Sequence, residues 1–327
     1  MRRREFIALF GSAAFTGPLV ALAQPDGRLR RVGFLTAASI PVFSSLYDAF
    51  VQGMRELGYE EHKDFIMEVR SAEGHYERFP EIARELVEKK SDVLLTAVAA
   101  AIHYLQQATT TVPIVMVYST DPIKNGFVAS LSHPAGNITG LIGSSDDTTP
   151  KQLELLRTLA PNASRIGILG NPASPTFDAV VKSARANAEK GNFSVLPIEV
   201  HSAEEFDDAF LQFRKEKVDA LLVAAEAVFF NHRTEIAQLA IRNRLPSIFS
   251  QREYAVSGGL MSYGENLSDF FHRAAFFVDK IFKGANPGDI PVEQPTRCHL
   301  TINRKTADAL GLTIPSQLYI FADDVIE

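Results

Sequence analysis

The sequence predicts an α/β protein that is built from two doubly wound, Rossmann-like domains, each with a parallel sheet between helices. Three observations support this fold class. Short apolar runs alternate with amphipathic helical stretches, the same order of elements occurs twice, and the length of 327 residues suits two domains of ordinary size.

The composition excludes several classes of protein and of functional site. Apolar residues make up 46% of the chain and charged residues 22%, which excludes a disordered, collagen-like or polytopic membrane protein. The formal charge is −6; without residues 1–23 it is −8, from 30 basic and 38 acidic residues. This acidic balance argues against nucleic acid as a partner, because phosphate binding needs a positive surface. Cys298, the one cysteine, excludes an intrachain disulfide and a thiolate metal cluster.

The first residues are typical of an export signal. A basic start precedes an apolar run that ends in ALA (21–23), which is what a signal peptidase cleaves, so we expect residues 1–23 to be a signal peptide. The stretch RREFI (3–7) resembles the twin-arginine motif. A Sec signal with a chance arginine pair and a retained anchor helix are the alternatives. We expect a periplasmic protein, exported by the twin-arginine route.

After the predicted signal peptide, the spacing of apolar residues predicts each helix and strand. Apolar residues at 46, 50, 54 and 57 form one helical stripe, which Gly58 ends, and a second stripe covers 79–87. Runs rich in large apolar residues predict buried parallel strands. These runs are RRVGFLTA (30–37), DFIMEVR (64–70), SDVLLTAV (91–98), VPIVMVYS (112–119) and NITGLIG (137–143).

The block then recurs. The segment 31–43 aligns without gaps on 165–177, SDVLLTAV is echoed by VDALLVAA (218–225), and VPIVMVY by LPSIFSQ (245–251). One match between apolar strands could arise by chance, but three in the same order indicate a duplicated unit. Alternating strands and helices imply parallel sheets with helices on both faces.

Ligands of open parallel sheets bind beyond the carboxyl ends of the strands, and several polar or small residues of the first block lie there. Ser39 precedes the first helix, where N-capping is the alternative role. Ala97 opens a stretch of small residues whose helix N-terminus suits a carboxylate. Tyr118, Ser119 and Asp121 follow the fourth strand, and an Asp-Pro turn is the alternative for Asp121.

The second block offers a matching set at its strand ends. Asn171 follows the first repeated strand, Glu226 could accept a hydrogen bond from an ammonium group, and Arg252 could pair with a ligand carboxylate. A surface salt bridge explains Glu226 or Arg252 equally well. Tyr263 belongs to a group of aromatic residues that could enclose an apolar side chain, although some of them belong in the core. The group is Tyr118, Phe229, Phe230, Tyr254 and Tyr263.

The sequence lacks the known signatures of catalysis and of cofactor binding. It has no G-x-S-x-G elbow, phosphate loop, G-x-G-x-x-G or H-E-x-x-H motif, and no histidine pair at metal-ligand spacing. We therefore expect no enzyme activity, no cofactor and no metal. For Cys298, which lies in a predicted strand, we expect a buried, inert thiol.

At this point the chain resembles a known family. The segments RRREFI, RRVGFL, MRELGY, TVPIVMVYSTDP, GFVASLSHPAGNITGL, KQLELLRTLAP, GGLMSYG and INRKTADALGLTIP match, in order, the ABC-transporter substrate-binding family of the periplasmic-binding-protein type I fold, which includes the TrpX-like proteins. The match covers nearly the whole chain. Two segments depart from the family pattern, AVAAAIHYL (97–105) and AAEAVF (224–229), and both fall on predicted pocket walls.

The resemblance implies two domains that are joined by a hinge of three crossing strands and close over one small molecule. It assigns residues 30–142 plus 264–287 to the N-terminal domain and 143–263 plus 288–327 to the C-terminal domain. The expected function is capture of a small carboxylate-bearing ligand, an amino acid or aromatic acid, by a monomer that delivers it to an ABC permease. A subunit that docks on a membrane signalling receptor is the alternative, and a cleft enzyme is a third.

Overall fold

The computed structural model describes residues 28–37, 39–119, 121–143, 147–174, 177–294 and 297–327. The predicted signal peptide lies outside the described residues. Among the residues described, no helix combines the length and the apolar character that a membrane span requires.

The first sheet has five parallel strands in the order β2-β1-β3-β4-β5. Its strands are β1 (Arg30–Thr36), β2 (Phe65–Ser71), β3 (Val93–Thr96), β4 (Ile114–Met116) and β5 (Ile138–Gly140). Its helices are α1 (Ile40–Glu56), α2 (Phe79–Glu88) and α3 (Ala99–Ala108). Helix α1 packs on one face, where Phe34 points, while α2 and α3 pack on the other with Leu35. This burial on both faces explains why the strands are continuously apolar.

The second sheet has seven strands in the order β12-β11-β10-β9-β8-β6-β7, and among the described pairs only β10 and β11 run antiparallel. Its strands are β6 (Arg165–Gly170), β7 (Ser194–Glu199), β8 (Ala220–Val223), β9 (Ser247–Phe249), β10 (Met261–Gly264), β11 (His299–Asn303) and β12 (Asp324–Ile326). The helices before β10 are α4 (Thr149–Leu159), α5 (Phe177–Gly191), α6 (Phe206–Lys215), α7 (Ala227–Asn231), α8 (Arg233–Arg242) and α9 (Arg252–Val256).

The duplication predicted from the sequence is confirmed. The order β7-β6-β8-β9-β10 repeats β2-β1-β3-β4-β5, and one hydrogen bond repeats with it. Asp92, just before β3, accepts from the Arg31 amide at 2.7 Å, and Asp219, just before β8, accepts from the Arg165 amide at 2.9 Å. The two copies therefore share details of strand alignment as well as topology.

Helix α10 (Leu267–Phe282) leaves β10 and returns to the first sheet. It packs along α1 and places Phe270, Phe271 and Phe277 in the same core cluster as Phe34. Helices α11 (Arg304–Leu310) and α12 (Ser316–Phe321) follow β11 and pack with α4 and α5 on the second sheet.

The chain crosses back to the second sheet later than the sequence predicts. The hydroxyl of Thr139 donates to the Ile290 carbonyl at 2.7 Å. The Ile142 amide donates to the Glu293 carbonyl and the Glu293 amide to the Gly140 carbonyl, each at 2.9 Å. Residues 290–293 therefore bond to the edge of the first sheet, whereas the prediction from the sequence places the boundary between the domains before them, at 288. The reason is that this short segment pairs by backbone hydrogen bonds, which its sequence does not reveal.

Candidate functional site

The predicted site residues lie where strands end, and two of them lie at the starts of helices whose N-cap side chains make no capping hydrogen bond. Ser39 is the N-cap residue of α1, extended at φ −61° and ψ 149°, and its side chain makes no capping hydrogen bond. Ala97 is half-buried just before α3, whose N-cap Val98 offers no side-chain acceptor. Neither first turn contains an acidic residue. These positive helix ends suit an anionic group.

The three residues predicted after β4 separate into different environments. Tyr118 is half-buried, with its ring 5.3 Å from that of Phe270 in an edge-to-face contact. Ser119 is only 2% exposed, and its carbonyl accepts from the Gly143 amide at 2.8 Å. Asp121 is exposed, with φ +46°, and begins the turn in which its carbonyl accepts from Asn125 at 3.0 Å. The turn interpretation therefore describes Asp121.

In the second sheet, Asn171 and Glu226 lie at the ends of β6 and β8. The buried Asn171 uses Oδ1 to accept from the Ala173 amide at 2.9 Å, which shapes the loop after β6. Glu226 is half-buried in an extended N-cap position before α7, and its carboxylate does not cap that helix. The carboxylate of Glu226 therefore has no role in capping α7.

Glu226 lies near a tyrosine of the other domain. Tyr76 follows β2, stacks on Phe79 with the ring centroids 5.2 Å apart, and keeps 40% of its surface exposed. Burial raises the pKa of Tyr76 to about 12, and the negative charge of Glu226 adds to that rise. Burial also raises the pKa of Tyr254, and Glu226 again contributes. Glu226 thus faces phenol groups from both sheets.

Arg252 and Tyr263 have partners within the fold. The guanidinium of Arg252 forms an ion pair with Asp324, the first residue of β12, so the salt-bridge interpretation describes it. The hydroxyl of Tyr263 hydrogen-bonds to the thiol of Cys298, and its carbonyl accepts from Gln152 at 2.8 Å. Cys298 itself lies one residue before β11 and is half-buried, not buried within a strand as expected.

Most of the predicted aromatic group belongs to the core. Phe229, Phe230 and Tyr254 are buried in the second domain, where Tyr254 stacks on Phe249 at 4.7 Å. Aromatic residues at a strand end have the same spacing in the sequence whether they line a pocket or fill the core. Only their burial in the structure shows that these three belong to the core.

Tyr76 was not among the predicted site residues. The predicted residues lie at the ends of the first, third and fourth strands and their repeats, but not at the end of the second strand, which EGHYERF (73–79) follows. Four buried side-chain atoms after β9 have no hydrogen-bond partner within the described ranges. They are Ser250 Oγ, Gln251 Oε1, Glu253 Oε2 and Tyr254 OH. They belong to the run SQREY (250–254), from which the sequence predicted Arg252 for the site and Tyr254 for the aromatic group.

Metal binding has no candidate in the part of the chain that the structure describes, where no three His, Cys, Asp or Glu side chains form a group that could hold an ion. The polar groups at the strand ends are helix N-termini, hydroxyls, amides and carboxylates, among them the half-buried Glu226 and Glu265. Such a set can bind a small molecule that carries both an anionic and a cationic group.

Comparison with known proteins agrees with this geometry. The family model described as ABC transporter substrate binding protein matches residues 31–326. A tyrosine-binding protein from Clostridioides difficile (strain R20291) is 25% identical over 283 residues, which are 86% of this chain and 81% of that protein.

Solved structures give the same result. A crystal structure of an ABC domain from Streptococcus pneumoniae in complex with L-Trp superposes with a TM-score of 0.79 at 27% identity, covering 91% of this chain and 100% of that one. A conserved domain protein from Vibrio cholerae superposes with a TM-score of 0.79 at 24% identity and the same coverage. The fold is therefore that of the periplasmic-binding-protein type I proteins.

Proposed function

Because this chain belongs to the ABC transporter substrate-binding protein family, we propose that it is the solute-binding component of an ABC importer and captures an amino acid or a related aromatic acid. The ligand class is supported by two relatives, a tyrosine-binding protein and a domain in complex with L-Trp. The family consists of binding proteins, so the cleft serves recognition and not turnover.

The observation that supports this ligand best is the half-buried carboxylate of Glu226 in the second domain, whose negative charge contributes to the raised pKa of Tyr76 in the first. A half-buried carboxylate accepts hydrogen bonds from an ammonium group, and charge-assisted bonds of this kind are the strong ones. The exposed edge of Tyr76 offers an apolar surface beside it. This end of the site would hold the amino group and part of the side chain of the ligand.

The carboxylate end of the ligand would lie at the helix N-termini of the first domain, after the strands β1 and β3, the first of which pairs with the strand preceding Tyr76. The N-termini of α1 and α3 present amide groups there, together with Ser39 and Ala97. Asn171 and Ser119 complete the proposed site. Arg252 is not part of the proposed site, because its guanidinium already forms an ion pair with Asp324.

The proposed mechanism is hinge closure. A ligand that contacts both domains favours the arrangement in which both sets of contacts are made, so binding shifts the population toward the closed form. The closed form would then be the one that the permease recognises. We further propose that the protein acts as a monomer in the periplasm, after export by the twin-arginine route.

Thermal unfolding in the presence of single amino acids tests the ligand class. A ligand at 100 times its dissociation constant adds about 2.7 kcal/mol to the free energy of unfolding, which raises the midpoint by several degrees. L-Tryptophan, L-tyrosine and other amino and aromatic acids form the panel. If none of them raises the midpoint, the ligand class is wrong.

A matched pair of variants then tests the role of the carboxylate. Glu226→Gln should weaken a ligand found in the panel at least tenfold, about 1.4 kcal/mol, in isothermal titration calorimetry. Glu88→Gln, at the exposed outer end of α2, should leave the affinity unchanged. Equal affinity of both variants would remove Glu226 from the site.

A further inference from the structure

The chain passes between the two domains three times, and one side chain lies beside all three passages. The described residues of the passages are Leu141–Gly143, Glu265–Asn266 and Arg297–Cys298, which we call the hinge. Tyr118, just beyond β4, approaches each of them. No pattern in the sequence indicates this convergence, because the three segments are far apart along the chain.

The first passage packs directly on the Tyr118 ring. A Cβ atom built on Gly143 would lie only 2.5 to 2.6 Å from ring atoms Cε2 and Cζ and from the hydroxyl oxygen, so only glycine fits there. The Gly143 amide also donates to the carbonyl of Ser119 at 2.8 Å. Any rotation of this passage must therefore move against the ring.

The second and third passages meet the hydroxyl end of the same side chain. The Tyr118 hydroxyl donates a hydrogen bond to the Glu265 carboxylate. Burial raises the pKa of Tyr118, and the charges of Glu265 and then of Cys298 raise it further. On the other side of the thiol, Tyr263 of β10 hydrogen-bonds to Cys298.

Tyr118 is itself fixed in the first domain. Its ring meets Phe270 of α10 edge to face at 5.3 Å, and both belong to or pack on the core cluster of α1 and β1. A side chain that is held by the first domain, packs on the first passage and hydrogen-bonds to the second can act as a stop for the motion between domains. In this structure the charge of Glu226, in the second domain, acts on Tyr76, in the first. The structure therefore shows an arrangement in which the two domains are close together, which we call the approached arrangement.

We infer that Tyr118 is a positioning residue that holds the two domains in the approached arrangement, through its contact with Gly143 and its hydrogen bond to Glu265. Tyr118 directly precedes Ser119 of the proposed site, so the hinge and the site are linked by a single peptide unit. The inference rests on the proposed hinge closure for its functional meaning, but the arrangement can be measured without any ligand.

Tyr118→Phe removes the hydroxyl and keeps the ring, and Glu265→Gln removes the charge of the acceptor. A hydrogen bond to a charged group contributes enough to change the ratio of two arrangements by about tenfold. We expect both variants, free of ligand, to show a larger radius of gyration in small-angle X-ray scattering. We also expect faster alkylation of Cys298 by N-ethylmaleimide, because opening of the hinge exposes the thiol.

Tyr59→Phe is the matched control. It removes a tyrosine–carboxylate hydrogen bond of 2.9 Å to Asp279 that lies wholly within the first domain. It should lower the free energy of unfolding without changing the scattering curve or the alkylation rate. If Tyr118→Phe and Glu265→Gln behave like this control, Tyr118 does not position the domains.

The two proposals fail in different ways. A changed scattering curve in Tyr118→Phe supports the hinge role even if L-tryptophan and L-tyrosine both fail to bind. An unchanged curve overturns the hinge role even if one of these amino acids binds tightly to the wild-type protein.

Discussion

Arg252 donates two hydrogen bonds to one oxygen of Asp324, from Nε at 3.0 Å and from Nη2 at 2.5 Å. The pair joins the start of α9 to the start of the edge strand β12 across 72 residues of sequence. Both side chains are more than a third exposed, so water screens their attraction. The ion pair therefore holds the edge strand β12 against α9 but contributes little to the free energy of unfolding.

Arg252→Ala should lower the free energy of unfolding by about 0.5 to 1 kcal/mol, the range of exposed ion pairs, and leave ligand affinity within about twofold. Urea unfolding and calorimetry measure the two effects. Asp324→Asn should cause a similar loss, and the double variant should lose little more than either single one. A tenfold loss of affinity at unchanged stability would return Arg252 to the binding site.

Gly140→Ala should destabilise the first domain by about 3 kcal/mol or more. Gly140 has φ +134°, which L residues rarely adopt, and an added Cβ would collide with the carbonyl oxygen of Met116 on β4. Gly126→Ala, at φ +72° with open space around it, should cost only about 1 kcal/mol. Comparable urea midpoints for the two variants would contradict this account.

Glu253→Gln should make the protein more stable at neutral pH. Glu253 is 8% exposed, and its Oε2 has no partner among the described residues. Burial raises the pKa of this carboxyl above its ordinary value of 4.5, although its own amide, Arg252 and Arg233 oppose the rise. The native state is therefore penalised where the group is charged.

This penalty has a defined pH dependence. A carboxyl whose pKa is higher in the folded state costs stability above the folded pKa and costs nothing well below 4.5, where both states are protonated. The advantage of Glu253→Gln, on the order of 1 kcal/mol, should therefore shrink as the pH falls through 4.5. A variant that is less stable at every pH would show that the charged form is satisfied.

Asp219→Asn should have the opposite pH dependence. Burial alone would raise the pKa of Asp219, but hydrogen bonds from the Arg165 amide and from the amide and hydroxyl of Ser164, each 2.9 Å, lower it overall. The carboxylate therefore stabilises the native state above pH 3.8, and this contribution disappears as the pH falls below that value.

We expect Asp219→Asn to lose about 1 kcal/mol at pH 7, a modest figure because the site is exposed, and progressively less as the pH falls below 3.8. Chemical denaturation at a series of pH values measures the difference. A loss that stays constant with pH would mean that the charge of Asp219 does not matter.

The sequence was sufficient for the parts of the fold that are repeated or uniformly apolar. Strand β3, with all four residues buried, and strand β8, its repeat, were both predicted from apolar runs. Strand β12 was not predicted, because its three half-buried residues form no apolar run. The pairing of 290–293 with β5 was missed because backbone groups alone make it.

The candidate site was predictable only in outline. Strand ends located Ser119, Asn171 and Glu226, because parallel topology brings these ends to one edge. The partners of Arg252 and Tyr118 could not be predicted, since each lies far away in sequence and is chosen by packing between elements. Tyr76 could have been predicted as a site residue, because it follows the second strand, which the sequence predicts.

The return of α10 to the first domain affects how the protein folds during its synthesis. Phe270, Phe271 and Phe277 complete the core that begins at Phe34, so that core cannot close until the ribosome has made about 85% of the chain. Until then its apolar surface is available to chaperones. A translocase for unfolded chains can act throughout that interval, whereas a translocase for folded proteins must wait for the last strands to be made.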